Sequence, residues 1–104
     1  MPLKVNSPLP PPDLADAQRA ISEVCKEIEA LLLGKNKKYG NSAVAPRRIF
    51  SKASPREQLY VRIDDKLSRI ETSGLSDVDE DTLQDLIGYL VLLKVYNRLR
   101  PGSK

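Results

Sequence analysis

Apolar residues recur at helical spacing in three separate stretches of this chain, and no stretch alternates with the period of two that a strand requires. In the first, Ala17, Ile21, Val24, Cys25, Ile28, Leu31 and Leu32 repeat every three to four positions. In the second, Leu59, Ile63, Leu67 and Ile70 form one stripe, while Arg62, Asp65, Lys66 and Arg69 share another side. The third, Asp77 to Leu99, is apolar around almost its whole circumference. On a helical wheel Leu83, Ile87, Leu90 and Lys94 fall on one side, and Asp81, Asp85, Gly88, Leu92 and Tyr96 on the other. A helix apolar on all sides is a buried one. The pattern predicts an all-α fold, a three-helix bundle whose members are antiparallel neighbours wherever the connections are short. So apolar a helix in so short a chain also predicts completion by oligomerisation, as a dimer or tetramer, with the surplus face buried against another copy.

Local signals place the helix ends. Asp13 suits the cap of the first helix. Gly34 offers one end for it and Lys35 to Tyr39 one further turn, after which Gly40, Asn41 and Ser42 break it. Residues 41–53 read as a long basic loop carrying the sole phenylalanine, Phe50. Loops of that length in a small domain tend to be functional. Ser54-Pro55-Arg56-Glu57 combines a capping serine, a proline at the first helical position and a capping-box glutamate, and Gly74 closes that helix. Asp77 with Glu80 reads as a second capping box opening the last helix, which Pro101 and Gly102 end. Residues 1–12 hold five of the eight prolines and read as an extended or disordered arm. That leaves a single helical domain over 13–100 and a tail over 101–104.

Charge changes this picture by its placement more than by its net value of +3. Lys35 to Arg69 holds ten basic residues against three acids, whereas Ile70 to Leu90 holds six acids and no base. Such asymmetry fits an anionic ligand on the basic side and a divalent cation on the acidic side. It fits charge matching between neighbouring helices nearly as well. A single cysteine and no histidine exclude an internal disulfide and a Cys/His zinc site, so any metal would be a hard, oxygen-loving one such as Mg²⁺ or Mn²⁺. Cys25 sits on an apolar stripe, where a buried structural thiol is expected. The N-terminal MPLKVNSPLPPP lacks the apolar core of a secretory signal, and the longest apolar run is too short to cross a bilayer. The expected location is the cytoplasm.

The residues that could carry chemistry are few. Asp81 and Asp85 lie one turn apart on the last helix, and Glu23 and Glu27 one turn apart on the first, a spacing that lets each pair share a metal. Asp81 is also where the helix dipole favours any acid. Asp85 could equally be a structural partner of Lys66 or Arg69, and Glu23 a partner of Arg19 or Lys26. Lys66 and Arg69, with Arg62 a turn earlier, suit a grip on phosphate, with Lys35 and Lys38 closing from the first helix. Tyr39 and Tyr89 can stack on a base or simply pack.

In their order and spacing, KNKKYGNS (35–42), RIDDKLSR (62–69) and EDTLQDLIGY (80–89) resemble the phage and bacterial nucleotide-modification-associated domains. The helical layout of that family looks like that of the MazG-type all-α nucleotide pyrophosphohydrolases. The resemblance covers roughly Ile21 to Tyr96. It implies a nucleoside-phosphate site at a helix interface, with Asp81 and Asp85 as the catalytic, Mg²⁺-holding pair and Glu23 and Glu27 as its complement. It also implies host cytoplasm as the location if the chain is of phage origin. Glu23 and Glu27 stand four apart, where those enzymes usually show three, which separates binding from hydrolysis. Two functions are therefore expected: a Mg²⁺-dependent (d)NTP pyrophosphohydrolase, or a non-catalytic sponge for a nucleotide or cyclic-nucleotide immune signal. Nucleic-acid binding ranks below both, because the acidic last helix dilutes the basic surface and no known binding motif occurs.

Overall fold

A computed structural model of the chain describes residues 10–46 and 49–100. Most of the proline arm, two loop residues at 47 and 48, and the tail from 101 (with Pro101 and Gly102) lie outside the described residues. Among the described residues three helices, α1 (Leu14–Tyr39), α2 (Pro55–Ser73) and α3 (Glu80–Leu99), make an all-α architecture, with a 3-10 turn at Leu75–Asp77 between the last two.

The local signals act as their chemistry requires. Asp13 Oδ1 accepts from the Asp16 N–H at 2.7 Å to cap α1, and Ser54 Oγ accepts from the Glu57 N–H at 3.1 Å to cap α2. The first helix runs through Gly34 and takes the further turn to Tyr39. There Asn36 closes it: its side-chain amide donates to the Gly40 carbonyl at 3.3 Å and to Asn41 Oδ1 at 2.8 Å. Gly40 itself adopts φ +68°, the left-handed region that glycine enters without strain. The last helix starts later than its sequence suggests. Asp77 is spent in the 3-10 turn, and Asp79 is the cap, its Oδ1 accepting from the Thr82 N–H at 2.7 Å.

The second and third helices form an antiparallel pair held by a ladder of rungs. Arg56 Nη2 donates to Asn97 Oδ1 at 2.7 Å while its guanidinium covers the Tyr96 ring. Six residues on, Arg62 covers the Tyr89 ring, and one turn further Lys66 meets Asp85. Leu59 is the most completely buried side chain on α2, and Thr82 and Tyr96 are buried near the two ends of α3. Lys66, not Leu67, occupies the inward edge of α2, and Leu67 is left exposed.

The first helix does not complete a bundle of three mutual neighbours. It packs on α3, with no packing against α2 among the described residues, because the connection over 40–54 is long enough to set it apart. Its crossing point is Gly88, where the absence of a side chain lets Leu32 approach to 3.4 Å of the position a Cβ would take. Ile28 is buried there, but the turns before it are not, and Cys25, expected to be buried, is exposed because nothing packs on that part of α1 among the described residues. At 26 residues α1 is about 39 Å long, and its N-terminal half runs on past the α2–α3 pair. The molecule measures 61 × 32 × 27 Å with a radius of gyration of 18.2 Å, against about 13 Å for a compact domain of this length. Among the described residues no helix is long and apolar enough to cross a membrane.

Candidate functional site

Because α1 and α2 meet α3 but not each other, a cleft of about 780 Å³ opens between them. Its base is apolar, built from Leu59 of α2 and Gly88 and Leu92 of α3. Its rim is polar: Asn36, Asn41 and Ser42 at the closed end of α1, and Gln58 on α2. Gln58 is held in place by donating its side-chain amide to the Ala53 carbonyl at 3.0 Å. Among the described residues two cations reach the cleft from different helices, Lys35 from α1 and Arg62 from α2. Two aromatic rings line it as well, Tyr39 and Tyr89. Each ring already has a cation over it, Lys38 Nζ at 5.3 Å from the Tyr39 centroid and the Arg62 guanidinium at 5.9 Å from that of Tyr89.

Arg62, Tyr89 and Gln58 also line a second hollow of about 520 Å³ on the far side, together with Ser51, Asp65 and Lys66. The Arg62–Tyr89 stack is therefore a partition with space on both faces. Behind it Lys66 Nζ lies 3.4 Å from Asp85 Oδ2 and 3.6 Å from Asp65 Oδ2. Arg69 pairs with Asp65 at 3.4 Å, one turn back on its own helix, and reaches neither hollow. The Asp79 carboxyl is held below its ordinary range. Hydrogen bonds from the Thr82 backbone and side chain do most of this, with Arg69 and Lys66 adding electrostatic help.

Of the residues singled out by sequence, Lys35, Tyr39, Arg62, Asp85 and Tyr89 come together around the main cleft. Lys66 joins them through Asp85, and Lys38 through Tyr39. Asp81, Glu23 and Glu27 do not: all three are exposed and outside both hollows. Among the described residues no three carboxylate, cysteine or histidine side chains group as metal ligands. Among the described residues the carboxylate lining the main cleft is Asp85, and a lysine already pairs with it. A Mg²⁺ site asks for an octahedron of oxygens, so the donor set that one chain assembles does not fit the ion. Sequence reasoning missed Asn36, Gln58 and Gly88. Asn36 lies in the KNKKYGNS run but was given no role there, Gln58 sits in a polar run without a distinguishing signal, and a lone glycine in an otherwise apolar helix is a mark of close approach.

Compared with protein-family models, with characterised proteins and with solved structures, the chain matches none.

Proposed function

We propose that the main cleft binds a nucleoside phosphate or a related nucleotide signal and holds it without chemical change. The observation that carries this reading is the approach of Lys35 and Arg62, from two helices separated by the cleft, beside two aromatic rings. Asp85 does not cancel their charge, because Lys66 offsets it. A phosphate suits the cations through charge-assisted hydrogen bonds, and a base suits the ring faces. The cleft volume lies within the range of about 300–1,000 Å³ usual for small-molecule sites. Retention is favoured over turnover because the carboxylate lining the cleft, Asp85, is tied to Lys66 and no group of metal ligands is assembled among the described residues.

A thermal-shift and calorimetric screen of mono-, di- and triphosphates and cyclic nucleotides, run in Mg²⁺ and again in EDTA, tests the proposal. Binding is expected to survive EDTA, with the ligand recovered intact after denaturation. Release of pyrophosphate in Mg²⁺ would instead support the pyrophosphohydrolase reading that the resemblance to MazG-type enzymes carries. Failure of every nucleotide to bind would sink both.

A further inference from the structure

The two hollows share one wall. Gln58 and Arg62, one turn apart on α2, and Tyr89 of α3 line both the main cleft and the second hollow of about 520 Å³. On this wall Arg62 lies over the Tyr89 ring and, among the described residues, pairs with no carboxylate. Its charge is left for an anion placed between the two spaces. The spaces themselves differ in kind. The main cleft adds Lys35 and a second ring, Tyr39. The second hollow adds Ser51, Val61 and Asp65, and its lysine, Lys66, is already shared by Asp65 and Asp85 at 3.6 and 3.4 Å. A carboxylate at the edge and a lysine so engaged make this hollow a poor place for further phosphates. They suit a neutral nucleoside better. Asp65 can accept from sugar hydroxyls, and the Ser51 hydroxyl, which accepts from the Ala53 N–H at 3.0 Å, keeps a proton to donate. Tyr89 and Val61 offer apolar surface to a base.

We propose that the ligand is a dinucleotide that straddles the wall, its two nucleosides joined through a phosphate seated at Arg62. This rests on the reading of the main cleft as a nucleotide site. One nucleoside lies in the main cleft beside Tyr39, with Lys35 taking the terminal phosphate, and the other lies in the second hollow. The one guanidinium on the wall matches the single charge of a phosphodiester, and each side has its own ring. A mononucleotide leaves the second hollow empty, and a triphosphate tail that entered it would meet Asp65.

Calorimetric titration of the full chain with pApA, pCpC, pGpG and pUpU, each beside its own nucleoside monophosphate and triphosphate, tests the proposal. At least one dinucleotide should bind about tenfold or more tightly than its monophosphate, the order expected from one further stacked base. Ser51 and Val61 line the second hollow and not the main cleft, and both are exposed. Ser51→Leu combined with Val61→Met narrows that hollow with longer aliphatic chains and adds no ring. The combination should remove the dinucleotide's advantage and leave monophosphate affinity unchanged, and Val61→Met alone reads the same effect should the pair not fold. Monophosphate binding with no gain for any dinucleotide would overturn the proposal and leave the cleft reading standing. So would a dinucleotide gain that these substitutions leave in place, or a triphosphate gain that they remove. Failure of every nucleotide to bind would end both readings together.

Discussion

Lys66 Nζ lies 3.4 Å from Asp85 Oδ2, with the lysine side chain 12% exposed and the aspartate 33%. This contact joins α2 to α3 and at the same time sets the charge of the cleft. A pair in such a place is neither a surface pair worth a few tenths of a kcal/mol nor a dry one whose loss costs several. Lys66→Ala and Asp85→Ala should each lower unfolding stability by about 1–2 kcal/mol. The double variant should lose less than the sum, with a coupling of about 1 kcal/mol read from a urea-melt cycle. Additive losses would show that the two side chains are neighbours without being partners.

Gly88 gives a prediction of opposite sign. A Cβ added there would meet Leu32 Cδ2 at 3.4 Å, an ordinary contact with the end of a movable side chain. Alanine favours a helix interior over glycine by about 0.8–1 kcal/mol. Gly88→Ala should therefore raise the melting temperature. Gly88→Phe has no such room and should push α1 off α3. The chain would then keep its helicity while its protease sensitivity between residues 40 and 54 rises and the cleft loses its ligand.

What was legible in the sequence was local. Asp13, Ser54 and Gly74 mark helix ends because a cap needs only residues within four positions of it. Two aspartates, Asp77 and Asp79, each stand three residues before a polar helix residue, Glu80 and Thr82, and the sequence cannot choose between them. The 3-10 turn after Gly74 decides, by using up Asp77. Tertiary placement was less legible. The wheel put Leu67 in the stripe of α2, yet among the described residues α2 packs on α3 and the short 3-10 turn and not on α1. Its buried face is therefore narrow and takes Leu59, Ile63, Lys66 and Ile70 instead. Of the site, the residues near the Lys66–Asp85 contact were readable from their spacing. Glu23 and Glu27 were not separable from them, since nothing before Gly40 reveals that the first half of α1 runs clear of the cleft.

The cap of α3 carries a pH dependence. Asp79 has a folded pKa below its ordinary value because the Thr82 hydrogen bonds favour the ionised form. A group depressed on folding stabilises the folded state above its unfolded pKa, near 3.9. That contribution is lost as pH falls through the folded value. The wild type should thus lose stability over this acidic window more steeply than Asp79→Asn, whose amide still caps but does not titrate. Thermal melts of the two between pH 6 and 2.5 should converge at the acidic end. Parallel curves would remove Asp79 from the account.

The cleft makes a prediction in which binding and metal-dependent turnover give opposite signs. Arg62→Ala and Lys35→Ala each remove a cation from the wall of the cleft without touching the buried side chains. Each should weaken nucleotide binding by about tenfold or more, the size expected for one charge-assisted hydrogen bond of about 1.5–3 kcal/mol. Tyr89→Leu should weaken it too, by removing the ring and unseating Arg62. Asp85→Ala separates the two readings. If the ligand is held by cations alone, losing Asp85 frees Lys66 to face the phosphate, and affinity should hold or rise several-fold even as the protein becomes less stable. If the ligand arrives with Mg²⁺, the same substitution removes the carboxylate that lines the cleft, and affinity should fall only in the presence of the metal. Calorimetric titration of Asp85→Ala with and without EDTA reads this directly. The ion pair that ties Asp85 to Lys66 sets the expected result: binding that is at least as tight, and indifferent to the chelator.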